Sequence, residues 1–301
     1  GGYGLDAQWS DDFHHALHTL LTGDRVGYYS DYGRCADLAK AYEDSFVYDW
    51  KFSPFRQRQH GMPCRDRAPV QFVVCAQNHD QIGNQMKGER LSQRISFEGL
   101  KLAAGAVLLA PFVPLLFMGE EYGETAPFIY FVSHSDPDLI EAVRAGRKRE
   151  FEPFHYADDP PDPEAVETFL RCKLNWELRQ TGTHHALLQW YRRLIDLRQS
   201  HPVLLTRDRG SLKASSDEEN RIVWISRWNA TQEWTLALNF GPTPTTLGLP
   251  CDRVAYKEVD SADTQWAGPG SKAPEILNVN EPFTIQPMSL VAYRFDRAPS
   301  A

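Results

Sequence analysis

Cysteine pairs, long apolar runs and an excess of positive charge are all missing from this chain of 301 residues. Its five cysteines are far apart and form no CxxC pair, so neither a zinc site nor a disulfide framework is indicated. No stretch reaches the roughly 18 to 20 apolar residues of a membrane span, and the first residues do not resemble a signal peptide. A formal net charge of -8 argues against nucleic acid or an anionic membrane as partner. These absences predict a cytoplasmic protein with reduced thiols.

The most informative segment is an apolar run at 71–76 that leads directly into Gln-Asn-His-Asp-Gln-Ile-Gly-Asn at 77–84. A nearly continuous apolar run is typical of a buried parallel strand, and catalytic residues collect where such strands end. The pattern therefore favours Asp80 as a functional carboxylate. The alternative is that Asn78, His79 and Asp80 only cap the next turn through bonds from side chain to backbone.

The sequence pattern before residue 202 predicts alternating strands and helices. Ser10 is a good N-cap for a helix whose apolar stripe ends at Gly23. The further elements that the pattern predicts are a helix at 97–110, a strand at 113–118, and helices at 136–148, 163–178 and 184–199. Counting a short strand that ends at Trp9, only three strands with following helices are predicted here, whereas a closed (β/α)8 barrel has eight such units. The N-terminal part is thus either a portion of a barrel or a small α/β domain complete in itself.

Residues after 202 change in character to short runs rich in Val, Ile, Trp, Thr and Tyr. Strands are predicted at 221–228, 232–240, 253–260 and 289–296, separated by Gly, Pro and Asn turns. We therefore predict two domains, at 1–202 and 203–301, of which the second is an antiparallel β-sandwich. Four tryptophans could form a sugar platform, although alternation along a strand favours core packing for them: Trp224, Trp228, Trp234 and Trp266.

Several motifs together resemble the α-amylase clan of glycoside hydrolases over about 5–295. The segment 77–84 resembles the fourth signature of that clan, and Leu-Leu-Phe-Met-Gly-Glu-Glu-Tyr-Gly at 115–123 resembles its eighth barrel strand and loop. Four further segments resemble the maltooligosyltrehalose trehalohydrolase subfamily: Asp-Asp-Phe-His-His at 11–15, Ser-Pro-Phe-Arg at 53–56 with His-Gly at 60–61, Pro-Phe-Ile-Tyr-Phe at 127–131, and Arg-Ala-Gly-Arg-Lys-Arg-Glu-Phe at 144–151. The resemblance implies the C-terminal part of a (β/α)8 barrel, with strands six to eight, followed by a β-sandwich.

The resemblance also implies site residues. Asp80 takes the role of the clan's aspartate that binds hydroxyls of the distorted sugar ring, and His79 is a ligand in the same subsite. Asn78 and Gln81 flank them in the motif and are expected to bind substrate as well. Retaining glycosidases need a nucleophile and an acid, and the motifs that carry both in this clan have no match in the chain. We therefore expect the chain alone to be inactive.

Other residues near predicted strand ends are weaker candidates. Trp9 and Asp12 follow the putative sixth strand by motif order and are expected to line the sugar cleft, and Glu120 is expected to line the same subsite. A pair of Asp80 with Glu120 as the two catalytic carboxylates is the alternative. His14 and His18 share a helix face, but without a third ligand a solvated or capping face is favoured over a metal site.

The function implied by the resemblance is hydrolysis of the α-1,4 bond next to the trehalose end of maltooligosyltrehalose, with retention and without a cofactor. The partner implied is the missing N-terminal half of the barrel, in the same longer chain or in a separate subunit. Two alternatives stay open: a fragment of a transferase like glycogen branching enzyme, and a non-catalytic module that binds α-glucan. Product analysis and glucan binding without turnover would distinguish them.

Overall fold

Short strands and longer helices alternate in the N-terminal part of the chain, and strands predominate toward its C-terminus. The computed structural model describes residues 3–152, 158–249 and 253–297. The helices are α1 (Asp11–Thr22), α2 (Cys35–Asp44), α3 (His79–Gly83), α4 (Leu91–Arg94), α5 (Phe97–Leu108), α6 (Pro137–Phe151), α7 (Val166–Arg171), α8 (Gly182–Ser200) and α9 (Pro202–Leu205). The strands are β1 (Gln8–Trp9), β2 (Asp49–Ser53), β3 (Arg58–Gly61), β4 (Phe72–Val74), β5 (Val113–Pro114), β6 (Leu212–Asp217), β7 (Ile222–Trp228), β8 (Gln232–Asn239), β9 (Thr245–Gly248), β10 (Ala255–Asp260), β11 (Ile276–Leu277), β12 (Pro282–Ile285) and β13 (Ser289–Asp296).

Strands β1, β4 and β5 form a parallel sheet in that order. Trp9 lies opposite Val73, which in turn lies opposite Val113. The backbone N–H of Ser10 donates to the carbonyl oxygen of Val73 at 2.8 Å, and that of Leu115 donates to Val74 at 2.8 Å. Because parallel strands end at the same edge, the loops after β1, β4 and β5 meet at one edge of this sheet.

Helix α1 is built as the sequence predicts. The Ser10 hydroxyl oxygen accepts a hydrogen bond from the Phe13 N–H, and Gly23 ends the helix in a left-handed conformation with φ of 79°. Phe13 and Leu17 on the apolar stripe are fully buried. The helix is therefore fixed against the core directly after β1.

Two predicted elements in this part are wrong in extent. The strand predicted at 113–118 extends only over 113–114. The helix predicted at 163–178 is broken: α7 ends at Arg171, and a 3-10 helix follows at Trp176–Gln180. The N–H of Asn175 donates to the buried Glu124 carboxylate at 2.6 Å, so a long-range contact interrupts the helix.

The hairpin of β2 and β3 was not predicted. Its register shifts between Asp49 and Lys51, and the intervening Trp50 has φ of 76°. Its residues are largely exposed and polar, so they do not show the apolar alternation by which strands are recognised.

The C-terminal part holds a six-stranded antiparallel sheet in the order β11-β10-β13-β8-β7-β6, beside a pair formed by β9 and β12. The four predicted strands correspond to β7, β8, β10 and β13. Phe283, Tyr293 and Ala237 are buried in the cluster between the sheet and the pair. Trp234 is fully buried, and Trp266 packs partly buried against the main core, so core packing is confirmed for these two.

The second face of the large sheet packs against helices of the N-terminal part. Helix α5 contacts β13, and α2 contacts β6 and β7. One hydrophobic cluster accordingly contains Leu102 of α5, Trp190 of α8 and Leu290 of β13. The two parts therefore share a core, and a domain boundary at 202 stays a prediction.

Two buried arginines donate hydrogen bonds to backbone carbonyl oxygens near the end of α5. Arg227 donates to the carbonyl oxygens of Leu109 at 2.8 Å, Leu204 at 3.1 Å and Thr206 at 2.7 Å. Arg198 donates to Leu108 at 2.8 Å and also to Ala110 and Phe112. The chain thereby enters β5 in a fixed direction. Across the described segments, every helix is too short or too polar to cross a membrane.

Candidate functional site

An open patch of three side chains lies at the polar edge of the parallel sheet. The His79 Nε2 atom is 3.3 Å from Asp80 Oδ1, and these side chains are 55% and 58% exposed. The ring centroid of Trp9, at the end of β1, is 6.1 Å from that of His79 with the rings nearly perpendicular. Trp9 is 41% exposed. The structure therefore brings together Trp9, His79 and Asp80, as the sequence predicts for adjacent strand ends.

Asn78 caps the turn that carries His79 and Asp80 and so orients these two residues of the patch. Its side-chain oxygen accepts hydrogen bonds from the N–H groups of Asp80 at 2.9 Å and Gln81 at 3.4 Å. Its amide nitrogen faces the Cys75 sulfur at 3.6 Å. The capping alternative is thus correct for Asn78, whose side chain is buried, but the cap turns His79 and Asp80 outward. Contacts of Asn78 and Gln81 with substrate stay predictions.

Asp11 and Tyr28 lie near the patch, and the sequence analysis does not assign either to it. Burial raises the pKa of Asp11, and the negative charges of Asp12 and Asp80 raise it further. Burial also raises the pKa of Tyr28, with smaller contributions from Asp11 and Asp80. Asp11, Tyr28 and Asp80 therefore lie within range of one another's charges. The place of Asp11 directly after β1 is a signal that could have identified it, whereas no motif marks Tyr28.

Asp12 points into the protein. Its carboxylate accepts hydrogen bonds from the Tyr32 hydroxyl at 2.8 Å and from the N–H groups of Val47 at 2.7 Å and Tyr48 at 2.9 Å. It is buried, so it ties the segment after α2 to the start of α1. The structure thus gives Asp12 a structural role, and its place in a sugar cleft stays a prediction.

Glu120 is buried as well, with only 5% of its surface exposed. The Tyr191 hydroxyl donates to its Oε1 atom at 3.3 Å, and Oε2 has no partner among the described residues. Burial raises the pKa of Glu120 to about 8. Its surroundings therefore favour the protonated form of this carboxyl.

Two histidines of α1, His14 and His18, make ring-nitrogen contacts within the protein. His14 Nδ1 is 2.9 Å from the Ala76 carbonyl oxygen, and its Nε2 is 3.1 Å from the Tyr29 hydroxyl. His18 Nε2 is 2.8 Å from Asp24 Oδ2. Burial lowers the pKa of both rings. No group of three or more metal-ligating side chains in the described part of the chain is arranged to hold an ion.

The patch is suited to a neutral, hydroxyl-rich ligand. Asp80 and His79 offer hydrogen-bonding atoms to solvent, and the exposed ring of Trp9 offers an apolar face against which a sugar can stack. The Glu120 carboxyl is buried and that of Asp80 is exposed, and a catalytic pair formed by the two stays a prediction. The patch alone therefore supports binding, and a reaction would need further groups.

Comparison with known proteins extends this interpretation. No family model matches the chain. It is 46% identical over 254 residues to the malto-oligosyltrehalose trehalohydrolase of Rhizobium sp. (strain M-11), covering 83% of this chain and 42% of that protein. The enzyme of the same name from Saccharolobus solfataricus is 46% identical over 206 residues, covering 68% of this chain and 35% of that protein.

Solved structures agree with these relatives. A Salmonella typhimurium protein assigned as an alpha amylase is 33% identical with a TM-score of 0.80, covering 95% of this chain and 46% of that one. The alpha-amylase of H. orenii, at 16% identity and a TM-score of 0.57, shares the fold. The chain spans less than half the length of the curated relatives described above. By sequence, it belongs to the malto-oligosyltrehalose trehalohydrolase family.

Proposed function

We propose that the chain is the C-terminal part of a retaining glycoside hydrolase that releases trehalose from maltooligosyltrehalose. In this proposal the complete enzyme cleaves the α-1,4-glucosidic bond next to the trehalose end. The observation that carries the proposal is the open patch of Trp9, His79 and Asp80 at the end of two paired strands, in a chain 46% identical to a trehalohydrolase.

Within this proposal each patch residue has a distinct role. Asp80 accepts hydrogen bonds from hydroxyls of the reacting sugar, and its charge favours the positive character of an oxocarbenium-like transition state. His79 binds a neighbouring hydroxyl, and the Trp9 ring packs against the apolar face of a sugar. Asp11 and Tyr28 complete the rim of the same subsite. Because all of these groups except Tyr28 lie at or just after the ends of β1 and β4, the paired strands position them next to one another.

The nucleophile and the acid would come from outside this chain. We infer that β1, β4 and β5 are strands six, seven and eight of a (β/α)8 barrel, with the barrel part at 1–202 and the β-domain at 203–301. In the described sheet β1 and β5 each pair on one side, which leaves both edges able to accept further strands. The remaining strands would lie in the same longer protein or in a separate subunit.

The free thiols agree with a cytoplasmic setting for this reaction in trehalose biosynthesis. Cys35, Cys64, Cys75 and Cys172 are unpaired in the described part, and Cys251 lies outside the described residues. No cofactor is needed for hydrolysis by carboxylates.

A complementation experiment tests the proposal. The part of the Rhizobium sp. (strain M-11) enzyme that precedes its matched segment is fused to this chain, and trehalose release from maltooligosyltrehalose is measured. We expect release by the fusion and a loss of about 100-fold or more on Asp80→Asn. Asp138→Asn, at another exposed aspartate, is the matched control and should leave the rate unchanged. Release that is independent of Asp80 would contradict the assigned role.

A second candidate is glucan binding without turnover. It is favoured by the absence, from the motifs of this chain, of those that carry the nucleophile and the acid in this clan. Calorimetric titration of the chain with maltoheptaose measures this directly. Binding that requires Trp9, together with an inactive fusion, would favour the binding module. Chain-length redistribution in the products of an active fusion would instead favour a branching transferase.

A further inference from the structure

The hairpin of β2 and β3 extends from the protein with much of its surface in solvent. Phe52 on β2 and Phe55 in the turn after it are 49% and 47% exposed. The base of the hairpin is fixed near the start of α1, because the Asp12 carboxylate accepts a hydrogen bond from the Tyr48 N–H at 2.9 Å. This bond leaves the turn at 54–57, which is the tip of the hairpin, to be held by other contacts.

One carboxylate anchors the tip. Asp31 Oδ1 accepts a hydrogen bond from the Phe55 N–H at 3.0 Å, and Oδ2 accepts hydrogen bonds from the Tyr48 and Ser53 hydroxyls. Ser53 is fully buried, and its oxygen also accepts from the Arg56 N–H at 3.0 Å. Hydrogen bonds to an ionised acceptor are stronger than those between neutral groups. The Asp31 carboxylate therefore ties both the side chains and the backbone of the tip to its own segment.

Asp31 belongs to a segment that lies near the candidate site. It ends the 3-10 helix Gly27–Asp31, and Tyr28 of the same helix packs against Phe55, with ring centroids 6.4 Å apart and the rings nearly perpendicular. The Tyr28 ring also lies 4.6 Å from the ring of His15. His15 is near the start of α1, the helix that follows β1. A series of ring contacts thus connects the hairpin tip to the strand end at which the patch lies.

We propose that Asp31 is a positioning residue that pins the hairpin tip to the 3-10 helix and thereby keeps the Tyr28 and Phe55 rings together beside the patch. The inference rests on the proposed function, in that the patch is taken as the sugar-binding site. Without Asp31 the tip has to be ordered when substrate binds, and this ordering costs binding free energy. The bond to be cleaved is not affected, so the loss falls on the KM.

Hydrogen exchange on the 301-residue chain tests the anchoring without requiring catalysis. The amides of Phe55 and Arg56 report on it, because they donate to Asp31 and Ser53. We expect both amides to exchange about tenfold faster in Asp31→Ala than in wild type. In Asp31→Asn an acceptor for the Phe55 N–H remains, so its exchange should rise only about threefold. Asp66→Ala, at an exposed aspartate in the loop before β4, is the control and should match wild type.

The KM of the trehalohydrolase fusion for maltooligosyltrehalose tests the link to the site. We expect Asp31→Ala and Phe55→Ala each to raise the KM by about fivefold with kcat nearly unchanged, because binding is lost equally in the ground and transition states. In a double-mutant cycle, Asp31→Ala should add less than about twofold when residue 55 is already alanine. A merely structural role for Asp31 would instead multiply the two increases.

Two results would overturn the inference. One is wild-type exchange at the Phe55 amide in Asp31→Ala, and the other is a double variant whose KM increase is the product of the two single increases. If Asp31→Ala does not fold by circular dichroism, Asp31→Asn takes its place in both comparisons. A fusion that releases no trehalose would contradict the proposed hydrolysis, whereas the exchange experiment would still decide whether Asp31 pins the tip.

Discussion

A buried lysine joins α5 to the C-terminal sheet, and its removal should weaken the whole chain. Lys101 is fully buried, and its Nζ atom donates to the carbonyl oxygens of Ser261 at 2.6 Å and Trp266 at 3.2 Å. It also lies 3.0 Å from Glu98 Oε2. Burial lowers the pKa of Lys101 and raises that of Glu98, and their mutual attraction opposes both shifts. Lys101 is therefore a single cation that donates to two carbonyl oxygens and forms an ion pair with Glu98.

The magnitude follows from these contacts. Lys101→Met removes two hydrogen bonds from a charged donor to backbone carbonyls, at about 1.5 kcal/mol each, the lower end of the range for a charged donor. It also leaves Glu98 without its cation, although the Glu98 side chain is 22% exposed and can be partly solvated. We expect the free energy of unfolding to fall by about 3 kcal/mol. Adding Glu98→Gln should recover about 1 kcal/mol, because it removes the uncompensated charge.

Urea unfolding followed by tryptophan fluorescence provides the assay. The reporters are local: the Trp190 indole N–H donates to the Lys101 carbonyl oxygen at 2.9 Å, and the Trp190 and Trp266 rings are 5.4 Å apart. Lys213→Met, at an exposed position of β6, should change the free energy by less than about 0.5 kcal/mol. A Lys101→Met variant as stable as this control would refute the reasoning.

Further predictions concern backbone strain, acid stability and the candidate site. Gly61→Ala should lower the melting temperature strongly, because the φ of Gly61 is 79° and the new Cβ would lie 2.2 Å from the Tyr48 carbonyl oxygen. Gly146→Ala in α6 should raise the melting temperature, because the new Cβ meets nothing within 4 Å. Burial lowers the pKa of His15 to about 3. The free energy of unfolding should therefore fall as the pH drops below the ordinary histidine pKa, by at most about 1.4 kcal/mol per pH unit. Urea unfolding of His15→Phe should show a smaller fall over the same pH range. Asp80→Asn should leave the urea midpoint unchanged, because the side chain is 58% exposed, and an altered midpoint would give Asp80 a structural role.

The pairing of the site residues could be predicted from the sequence because it depends on strand ends. An apolar run followed by His79 and Asp80 indicates a parallel strand that ends in polar groups, and motif order placed Trp9 beside it. The directions of Asp12 and Glu120 could not be predicted in this way. Asp12 turns inward because Tyr32 and Val47, distant in sequence, donate to it, and Glu120 is buried by Tyr191 of α8.

The bounds of the helices and strands likewise divide into those that the sequence predicts and those that depend on distant contacts. Helix α1 follows its local N-cap and apolar stripe, so its bounds could be predicted. The break between α7 and the following 3-10 helix depends on the bond from Asn175 to Glu124, which no local pattern contains. The strands β9 and β12 are four residues each and pair across 38 residues, too short for alternation to identify them.

Trehalose release by the fusion with the upstream part of the Rhizobium enzyme tests the central claim most directly. Its rate is measured beside that of this chain alone and that of the fusion carrying Asp80→Asn. The proposed function predicts release by the fusion, a loss of about 100-fold or more on Asp80→Asn, and none by the chain alone. Equal release by the chain alone would contradict the claim that the nucleophile and acid lie elsewhere. A folded fusion that binds maltoheptaose but releases no trehalose would contradict the hydrolase assignment itself.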